Sequence, residues 1–201
     1  MTLDLFQPEP KRNLLPKDGE VEDFGIIIPF EQAEQYLQYF LQHLAWQHDE
    51  AYIYGNHYIT TRQMVWFGDQ DYQYVYAGIS RQAQQWNSVI LQLKQQIEAL
   101  LQISFNSCLA NLYLDGTQGV SWHQDDEPSL GQQSTIASLS FGATRQFAFR
   151  HLSTQEKVEM LLHSGQLIVM RGQTQTFWQH CLRPSQKIIT PRINLTFRQF
   201  Q

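Results

Sequence analysis

The chain has 201 residues, of which 42% are hydrophobic and 13% aromatic, and its formal net charge is −5. This composition is typical of one folded domain with a sizeable core and excludes a disordered chain. The acidic balance argues against a protein that coats nucleic acid by charge alone, so a polyanion would need a local basic patch. No apolar run approaches the length of a membrane span, and the charged first residues do not resemble a secretion signal.

The two cysteines and the prolines indicate the compartment and the domain organisation. Cys108 and Cys181 cannot form a disulfide framework and suit a reducing environment. We therefore expect a location in the cytoplasm, or in the nucleus if the source is eukaryotic, and no secretion. We also expect a monomer that is not attached to a membrane. Residues 1–20 mix prolines, a glycine and charges, which predicts an extended N-terminal arm ahead of a single domain over residues 21–201.

The predicted helices come first along the chain and the predicted strands follow. Apolar side chains recur every three or four residues over 31–44 and 86–101, as on one buried helix face. After residue 107, short apolar or alternating segments separated by turns predict strands at 108–113, 135–141, 145–150, 156–162, 166–170, 175–182 and 191–197. The predicted fold class is α+β but mainly β, a sandwich or jelly roll with the helices packed on one sheet.

The segment His123-Gln124-Asp125 has the spacing of a metal-binding pair. In extended backbone, residues two apart point to the same side, so an imidazole and a carboxylate converge. One more histidine would complete the two-histidine, one-carboxylate face of non-haem Fe(II) oxygenases. His151, His163 and His180 are the candidates, and we favour His180 because it ends an apolar predicted strand late in the chain. The alternative interpretation of this segment is a solvated acidic turn.

The last predicted strand alternates strictly between apolar and polar residues. Its polar face carries Arg192, Asn194, Thr196 and Arg198. Two guanidinium groups inside a small barrel are costly unless anions neutralise them, and a dicarboxylate would give each one a bidentate partner. Asn111 and Tyr113 share a face of another predicted strand and offer donors to the same anion. The alternative is an exposed strand whose polar face lies in water.

These segments, taken in order, resemble a known family. The resemblance rests on residues 111–113, 123–125, 138–142, His180 and 191–198, whose sequences are Asn-Leu-Tyr, His-Gln-Asp, Ser-Leu-Ser-Phe-Gly, the lone histidine and Pro-Arg-Ile-Asn-Leu-Thr-Phe-Arg. Together they are similar to the AlkB family of Fe(II)- and 2-oxoglutarate-dependent nucleic-acid dealkylating dioxygenases, over about residues 50–198. The similarity is greatest to the branch of the animal duplex-DNA repair homologues, with residues 138–149 as support.

The resemblance implies a fold, cofactors and an activity. The fold would be a double-stranded β-helix, in which Fe(II) is held by His123, Asp125 and His180. The distal carboxylate of 2-oxoglutarate would be held by Arg192 with Asn111 and Tyr113, and the carboxylate nearer the iron by Arg198, supported by Asn194 and Thr196. With O2 as the second cosubstrate, the implied reaction is oxidative demethylation of bases such as 1-methyladenine and 3-methylcytosine, with release of formaldehyde.

The same resemblance assigns residues to the nucleic acid, with DNA favoured over RNA. Tyr74 would contact the base and Tyr76 would stack on it, although both also fit the role of core or cross-strand tyrosines. Asp126 and Glu127 would face a cationic damaged base, and Tyr54 would occupy the wedge position of a hairpin. The candidate phosphate contacts are Arg62, Arg81, Arg145, Arg150, Arg183 and Lys187. Alternatives are a 2-oxoglutarate-dependent oxygenase acting on RNA, a protein or a small molecule, and a binding module without catalysis.

Overall fold

A computed structural model describes residues 13–53, 56–76 and 78–201, which form two packed β-sheets with helices on one side. The strands are β1 (Glu20–Ile26), β2 (Gln47–Ile53), β3 (Asn56–Gly68), β4 (Gln73–Tyr76), β5 (Ile79–Gln82), β6 (Ser107–Tyr113), β7 (Val120–His123), β8 (Ile136–Gly142), β9 (Arg145–His151), β10 (Lys157–Leu162), β11 (Gln166–Arg171), β12 (Trp178–Leu182) and β13 (Arg192–Arg198). The helices are α1 (Phe30–His43), α2 (Ser88–Leu101) and the short α3 (Thr174–Phe177).

The strands are arranged as a jelly roll. In the described part of the chain, the larger sheet has the order β1-β11-β8-β13-β6-β3-β2 and the smaller one β10-β9-β12-β7, and all of their pairings are antiparallel. β4 and β5 form a separate two-stranded sheet. A small apolar cluster joins the two main sheets, with Ile136 and Met170 from the larger and Phe149 and Trp178 from the smaller. The predicted fold class is confirmed.

Both long helices pack on the outer face of the larger sheet. The buried stripes of α1, with Ala33, Leu37 and Phe40, and of α2 join one core cluster with that sheet. Burial of these stripes, at roughly 25 cal/mol for each Å² removed from water, stabilises the helices on the sheet. Both predicted helices are thus confirmed to within about two residues at their ends. In the part of the chain that the structure describes, no helix is long and apolar enough to cross a bilayer.

Strand β13 lies at the centre of the larger sheet and separates the core from the site. It pairs with β6 on one side and with β8 on the other. Its Ile193, Leu195 and Phe197 are fully buried beneath the helices. The opposite face of the strand, which carries Arg192 and Asn194, is also buried and lines a cavity between the two sheets. The alternative of a solvent-facing polar strand is therefore excluded.

The structure differs from the sequence interpretation over residues 175–182. The first part of this predicted strand is the helical turn α3, and β12 begins only at Trp178. The hydroxyl of Thr174 explains the turn, because it accepts the Glu20 N–H at 2.8 Å and donates to the Arg171 carbonyl at 2.6 Å. Such side-chain to backbone bonds compete with the sheet ladder. His180 lies in the middle of a strand rather than at its end, because β12 continues to Leu182.

The predicted N-terminal arm lies partly outside the described residues. Its described end, from Asn13 onward, is packed on the domain rather than extended away from it. The side-chain oxygen of Asn13 accepts the N–H groups of Leu15 and Val21, and the Leu15 side chain is buried against Trp178. Strand β1 starts at Glu20, the last residue of the predicted arm. Early strands such as β3 escaped prediction because polar residues fill much of their length.

Substitution of the residue that caps α2 should destabilise the domain measurably. The side chain of Asn87 accepts the N–H groups of Val89 and Ile90 at 3.0 and 3.4 Å. Asn87→Ala should lower the free energy of unfolding by about 1 kcal/mol, since N-cap side chains contribute that much. Asn87→Ser keeps a capping oxygen and should lose less than half of this in urea denaturation. Equal losses in both variants would instead assign the effect to the contact of Asn87 with Tyr39.

Candidate active site

Three potential metal ligands meet where β7 and β12 pair. His123 at the end of β7 lies directly opposite His180 on β12, and Asp125 follows two residues after β7. The Nε2 atoms of His123 and His180 are 3.6 and 4.0 Å from the same carboxylate oxygen, Asp125 Oδ1. Atoms that both bind one ion at about 2.1 Å can be at most about 4.2 Å apart, so both distances are compatible with a shared ion. Among the described residues, these three form the one group arranged in this way.

Two of these residues use one polar atom in a hydrogen bond within the protein, which leaves their other polar atom available to a metal. His123 Nδ1 donates to the Ser121 carbonyl oxygen at 2.8 Å, which assigns the proton to Nδ1 and leaves Nε2 free. Arg198 Nη2 donates to Asp125 Oδ2 at 2.6 Å, which orients the carboxylate and leaves Oδ1 free. Metal ligands in proteins are commonly oriented in this way. The donor set of two imidazoles and one carboxylate on one face suits Fe(II) and leaves positions open for other ligands.

The local electrostatics keep two of these ligands deprotonated. Burial alone would raise the pKa of Asp125, but Arg198, His180 and His123 outweigh it and lower the value to about 2. Burial, reinforced by His123 and Arg198 and opposed by Asp125, lowers the pKa of His180 to about 3. Metals bind the carboxylate and the neutral imidazole, so both groups are in the binding form well below neutral pH.

Two glutamines hold the His-x-Asp segment against the segment that leads into β12. The buried Gln175 accepts the Asp125 N–H at its Oε1 at 2.9 Å, and Gln124 Nε2 donates to the Gln175 carbonyl oxygen at 2.6 Å. The metal carboxylate and the strand of His180 are thereby fixed relative to each other. The sequence analysis missed this pair, because the two residues lie 51 positions apart and no local pattern connects them.

A cavity of about 320 Å³ between the two sheets contains the metal ligands and the polar face of β13. It brings together all of the residues predicted for iron and 2-oxoglutarate: Asn111, Tyr113, His123, Asp125, His180, Arg192, Asn194, Thr196 and Arg198. The alternation of β13 explains this, because one face of the strand packs on the helices and the other must line the cavity. The site is therefore built mainly on strands, which hold side chains more rigidly than loops do.

Arg192 is a buried cation whose hydrogen-bond partners are neutral. Its Nη2 donates to Ser140 Oγ at 3.0 Å and Asn194 Oδ1 at 2.9 Å, and its guanidinium lies 5.6 Å from the centre of the Tyr113 ring. Its Nε has no hydrogen-bond partner among the described residues. Burial, partly offset by Tyr113 and reinforced by Arg145, lowers the pKa of Arg192 to about 10. A buried guanidinium without an acidic partner indicates an anion site in the cavity.

Asn111 adds a second unsatisfied polar group beside Arg192. Its side-chain oxygen is buried and has no hydrogen-bond partner within the described part of the chain. Because the oxygen and nitrogen of an amide are exchanged by a simple rotation, Asn111 can present either an acceptor or N–H donors to a ligand. Its position on β6, directly opposite Asn194 on β13, places it on the cavity wall.

The residues predicted to contact the base are only partly described. Tyr54 lies outside the described residues, between β2 and β3, which do form the expected hairpin. Tyr74 and Tyr76 belong to strand β4. Glu127 lines the main cavity, whereas Asp126 is exposed and lines a different, glutamine-rich groove. The roles assigned to these five residues remain predictions.

Most of the predicted phosphate contacts have partners within the protein. Arg62 and Arg81 both pair with Asp49, a cavity residue that the sequence analysis missed. Arg145 is buried and donates to backbone carbonyl oxygens, including the Gln118 carbonyl at 2.6 Å. Arg183 pairs with Glu159 at 2.5 Å. Arg150 and Trp122 form a cation–π pair at 4.5 Å, and Trp122 lines the cavity.

Comparisons with known proteins agree with this geometry. The sequence model described as "2OG-Fe(II) oxygenase superfamily" matches residues 25–198. The human DNA oxidative demethylase ALKBH2 is 33% identical over 178 residues, which cover 85% of this chain and 67% of that protein. The bovine alpha-ketoglutarate-dependent dioxygenase alkB homolog 3 is 43% identical over 151 residues, covering 70% and 52%. The chain thus spans about half to two thirds of the length of these relatives.

Solved structures share the fold at low sequence identity. A structure of OsALKBH1 has a TM-score of 0.64 at 18% identity and covers 92% of this chain and 99% of that one. A Pseudomonas putida prolyl-4-hydroxylase has a TM-score of 0.59 at 13% identity and covers 89% and 92%. The chain therefore belongs to the 2OG-Fe(II) oxygenase superfamily and, within it, to the AlkB family. The family predicted from the motifs is confirmed.

Burial of the neutral His180 should make the metal-free protein sensitive to mild acid. Below pH 6.5 the unfolded chain binds a proton at this histidine, whereas the folded chain does not until about pH 3, so stability falls over this window as the pH falls. Between pH 6.5 and 5 the loss should be about 2 kcal/mol. Urea denaturation with a chelator present should show a smaller loss in His180→Gln. The control His43→Gln, at an exposed position, should retain the full loss, and an unchanged loss in His180→Gln would contradict the assignment.

Proposed function

We propose that this chain is an Fe(II)- and 2-oxoglutarate-dependent dioxygenase that demethylates N-alkylated bases in DNA, such as 1-methyladenine and 3-methylcytosine, with release of formaldehyde. The observation that carries the proposal is that the metal-binding face and the uncompensated Arg192 share one cavity. The substrate class is suggested by the relatives, since one that covers 85% of the chain is a DNA oxidative demethylase.

Different residues of the cavity would bind the iron and the cosubstrate. His123, Asp125 and His180 would hold Fe(II), which with O2 and 2-oxoglutarate supplies the oxidising power to hydroxylate a C–H bond. Overall, 2-oxoglutarate becomes succinate and CO2, and the N-methyl group becomes an N-hydroxymethyl group that eliminates formaldehyde. The protein supplies orientation and a site that excludes water.

The far end of the cosubstrate would be held by Arg192. A guanidinium binds a carboxylate through two parallel hydrogen bonds, and Asn111 and Tyr113 lie within the same wall. Arg198 is bonded to Asp125, so a cosubstrate carboxylate near the metal would share this guanidinium with a metal ligand. Asn194 orients Arg192 and is itself fixed by Thr196, to which it donates at 2.7 Å.

A cationic base would meet Glu127 at the cavity wall. One carboxylate oxygen of Glu127 is buried without a hydrogen-bond partner in the described residues. Burial raises the pKa of Glu127 and Asp125 adds to the effect, although Arg198 acts against it. A positively charged 1-methyladenine or 3-methylcytosine would relieve this unfavourable carboxylate environment. The base has to be single-stranded or flipped out of the duplex to reach it, and Tyr74 and Tyr76 on β4 are proposed to contact it there.

The remaining expectations on partners and compartment belong to the same proposal. We propose that the protein acts as a monomer on nucleic acid, in the cytoplasm or, in a eukaryotic cell, the nucleus. Both cysteines, Cys108 and Cys181, are free and buried, in agreement with a reducing environment.

The proposed reaction is tested by formaldehyde release from a panel of methylated oligonucleotides. With Fe(II), 2-oxoglutarate and O2 we expect turnover of 1-methyladenine and 3-methylcytosine in DNA. Asp125→Ala should reduce the rate at least about a hundredfold, because a metal ligand is lost and Arg198 remains without its carboxylate. Glu159→Gln, which removes a surface carboxylate, is the matched control and should stay within about twofold of the wild type. Turnover of 2-oxoglutarate without release of formaldehyde from any oligonucleotide would favour an oxygenase with another substrate.

The assignment of Arg192 to the cosubstrate predicts a selective change in KM. Arg192→Lys keeps the charge but cannot make two parallel bonds, so the KM for 2-oxoglutarate should rise roughly ten- to a hundredfold. The KM for the oligonucleotide should remain nearly unchanged, as measured by varying each substrate at saturation of the other. The opposite pattern, a raised oligonucleotide KM with an unaltered 2-oxoglutarate KM, would place a phosphate rather than the cosubstrate at Arg192.

A further inference from the structure

The β4–β5 hairpin contributes to the cavity without belonging to either main sheet. It is a two-stranded sheet, and Gln84, just beyond its end, makes the backbone bridge to β3 through bonds with Trp66 and Gly68. An isolated two-stranded hairpin is only marginally stable in water, so contacts away from this bridge must hold it in position. Arg81, in the third position of β5, nevertheless reaches the cavity wall.

Arg81 connects this hairpin to β2 through Asp49. Its Nη2 donates to Asp49 Oδ1 and, at 2.9 Å, to the backbone carbonyl of Glu50. The side chains of Arg81 and Asp49 are 9% and 11% exposed, so the ion pair lies in a largely dry environment. Removal of one partner from such a pair leaves a buried charge uncompensated, which makes this contact much more consequential than a surface salt bridge.

The same carboxylate also binds a guanidinium on the cosubstrate side of the cavity. Arg62 on β3 donates to Asp49 Oδ2, so one carboxylate neutralises two arginines from two different strands. Arg62 lies beside Tyr113, whose ring faces Arg192. Without Asp49, the charges of Arg62 and Arg81 would repel each other across the position that the carboxylate now occupies.

We propose that Asp49 is a positioning residue, which holds the β4–β5 hairpin at the cavity wall through Arg81 while Arg62 fixes Asp49 itself. Across the hairpin, Arg81 pairs with Tyr74, the residue predicted to contact the base. This contact between Asp49 and Arg81, which we call the anchor, therefore determines where β4 lies relative to the candidate metal ligands. Its consequence for nucleic-acid binding rests on the proposed function, whereas its effect on the hairpin does not.

The test combines hydrogen exchange with kinetics of the iron-loaded enzyme. In Asp49→Asn, the amides of residues 73–82 should exchange at least about tenfold faster, because loss of a buried pair destabilises that local unit. The KM for a methylated oligonucleotide should rise by a similar factor, while kcat and the KM for 2-oxoglutarate stay within about twofold. Asp49→Glu, which keeps the carboxylate, should recover most of the affinity.

A matched control and a second variant keep the proposal falsifiable. Glu22→Gln removes a comparable half-buried partner of an arginine, Arg171 on β11, at the far edge of the sheet and should change neither readout. Arg81→Gln leaves Asp49 paired with Arg62 and can be measured if Asp49→Asn folds poorly. The double variant should be no worse than Asp49→Asn alone, since both changes remove the same contact to the hairpin. Unchanged exchange in residues 73–82 would overturn the anchor, and faster exchange with an unaltered oligonucleotide KM would overturn its role in nucleic-acid binding. Absence of turnover with every oligonucleotide would refute the proposed function, and the exchange measurement would still decide on the anchor.

Discussion

The hydrogen bond from Arg198 to Asp125 joins the two sheets at the point where the site is formed. Arg198 ends β13 of the larger sheet, and Asp125 follows β7 of the smaller one. Through this contact the strand that carries the anion-binding face fixes the orientation of the metal carboxylate. Arg198 together with His180 and His123 outweighs the cost of burying Asp125, as the lowered pKa of that group indicates. Under the proposed function, metal ligation and cosubstrate binding would thus depend on one geometry, since a shift of β13 would move both together.

The charges of the cavity are balanced unevenly, and the imbalance points to ligands. Asp125 and Asp49 are paired with arginines, so these groups satisfy each other within the protein. Arg192 has neutral hydrogen-bond partners, and one buried oxygen of Glu127 has no hydrogen-bond partner in the described residues. A buried cation with neutral hydrogen-bond partners and a buried carboxylate oxygen without a hydrogen-bond partner fit a carboxylate ligand at one end of the cavity and a cationic one at the other. Under the proposed function, the first of these ligands would be 2-oxoglutarate and the second a positively charged methylated base.

Local periodicity predicted the parts of the molecule whose faces are strictly divided. The alternation over residues 191–198 predicted both the strand and its polar face. It did so because one face of β13 packs on the apolar core and the other lines a polar cavity. The spacing of His123 and Asp125 likewise predicted that their side chains converge, but His180 had to be chosen among three histidines. Asp49 and Gln175 could not be found in this way, since their partners are distant in sequence. The turn α3 was missed because the contacts of Thr174 are made with residues outside the predicted strand.

The use of arginines inside the protein bears on how a nucleic acid would be bound. Arg62, Arg81 and Arg145 neutralise or tie together internal groups, and the net charge of the chain is −5. Few of these cations are then available to displace counterions from phosphates, so binding would depend less on the backbone than on the base. A methyl group on the Watson–Crick edge already prevents normal pairing, and extrusion costs least for such a base. Under the proposed function, the protein would therefore recognise the lesion by its unpaired, cationic base rather than by strong attraction to the duplex, and single strands should serve at least as well.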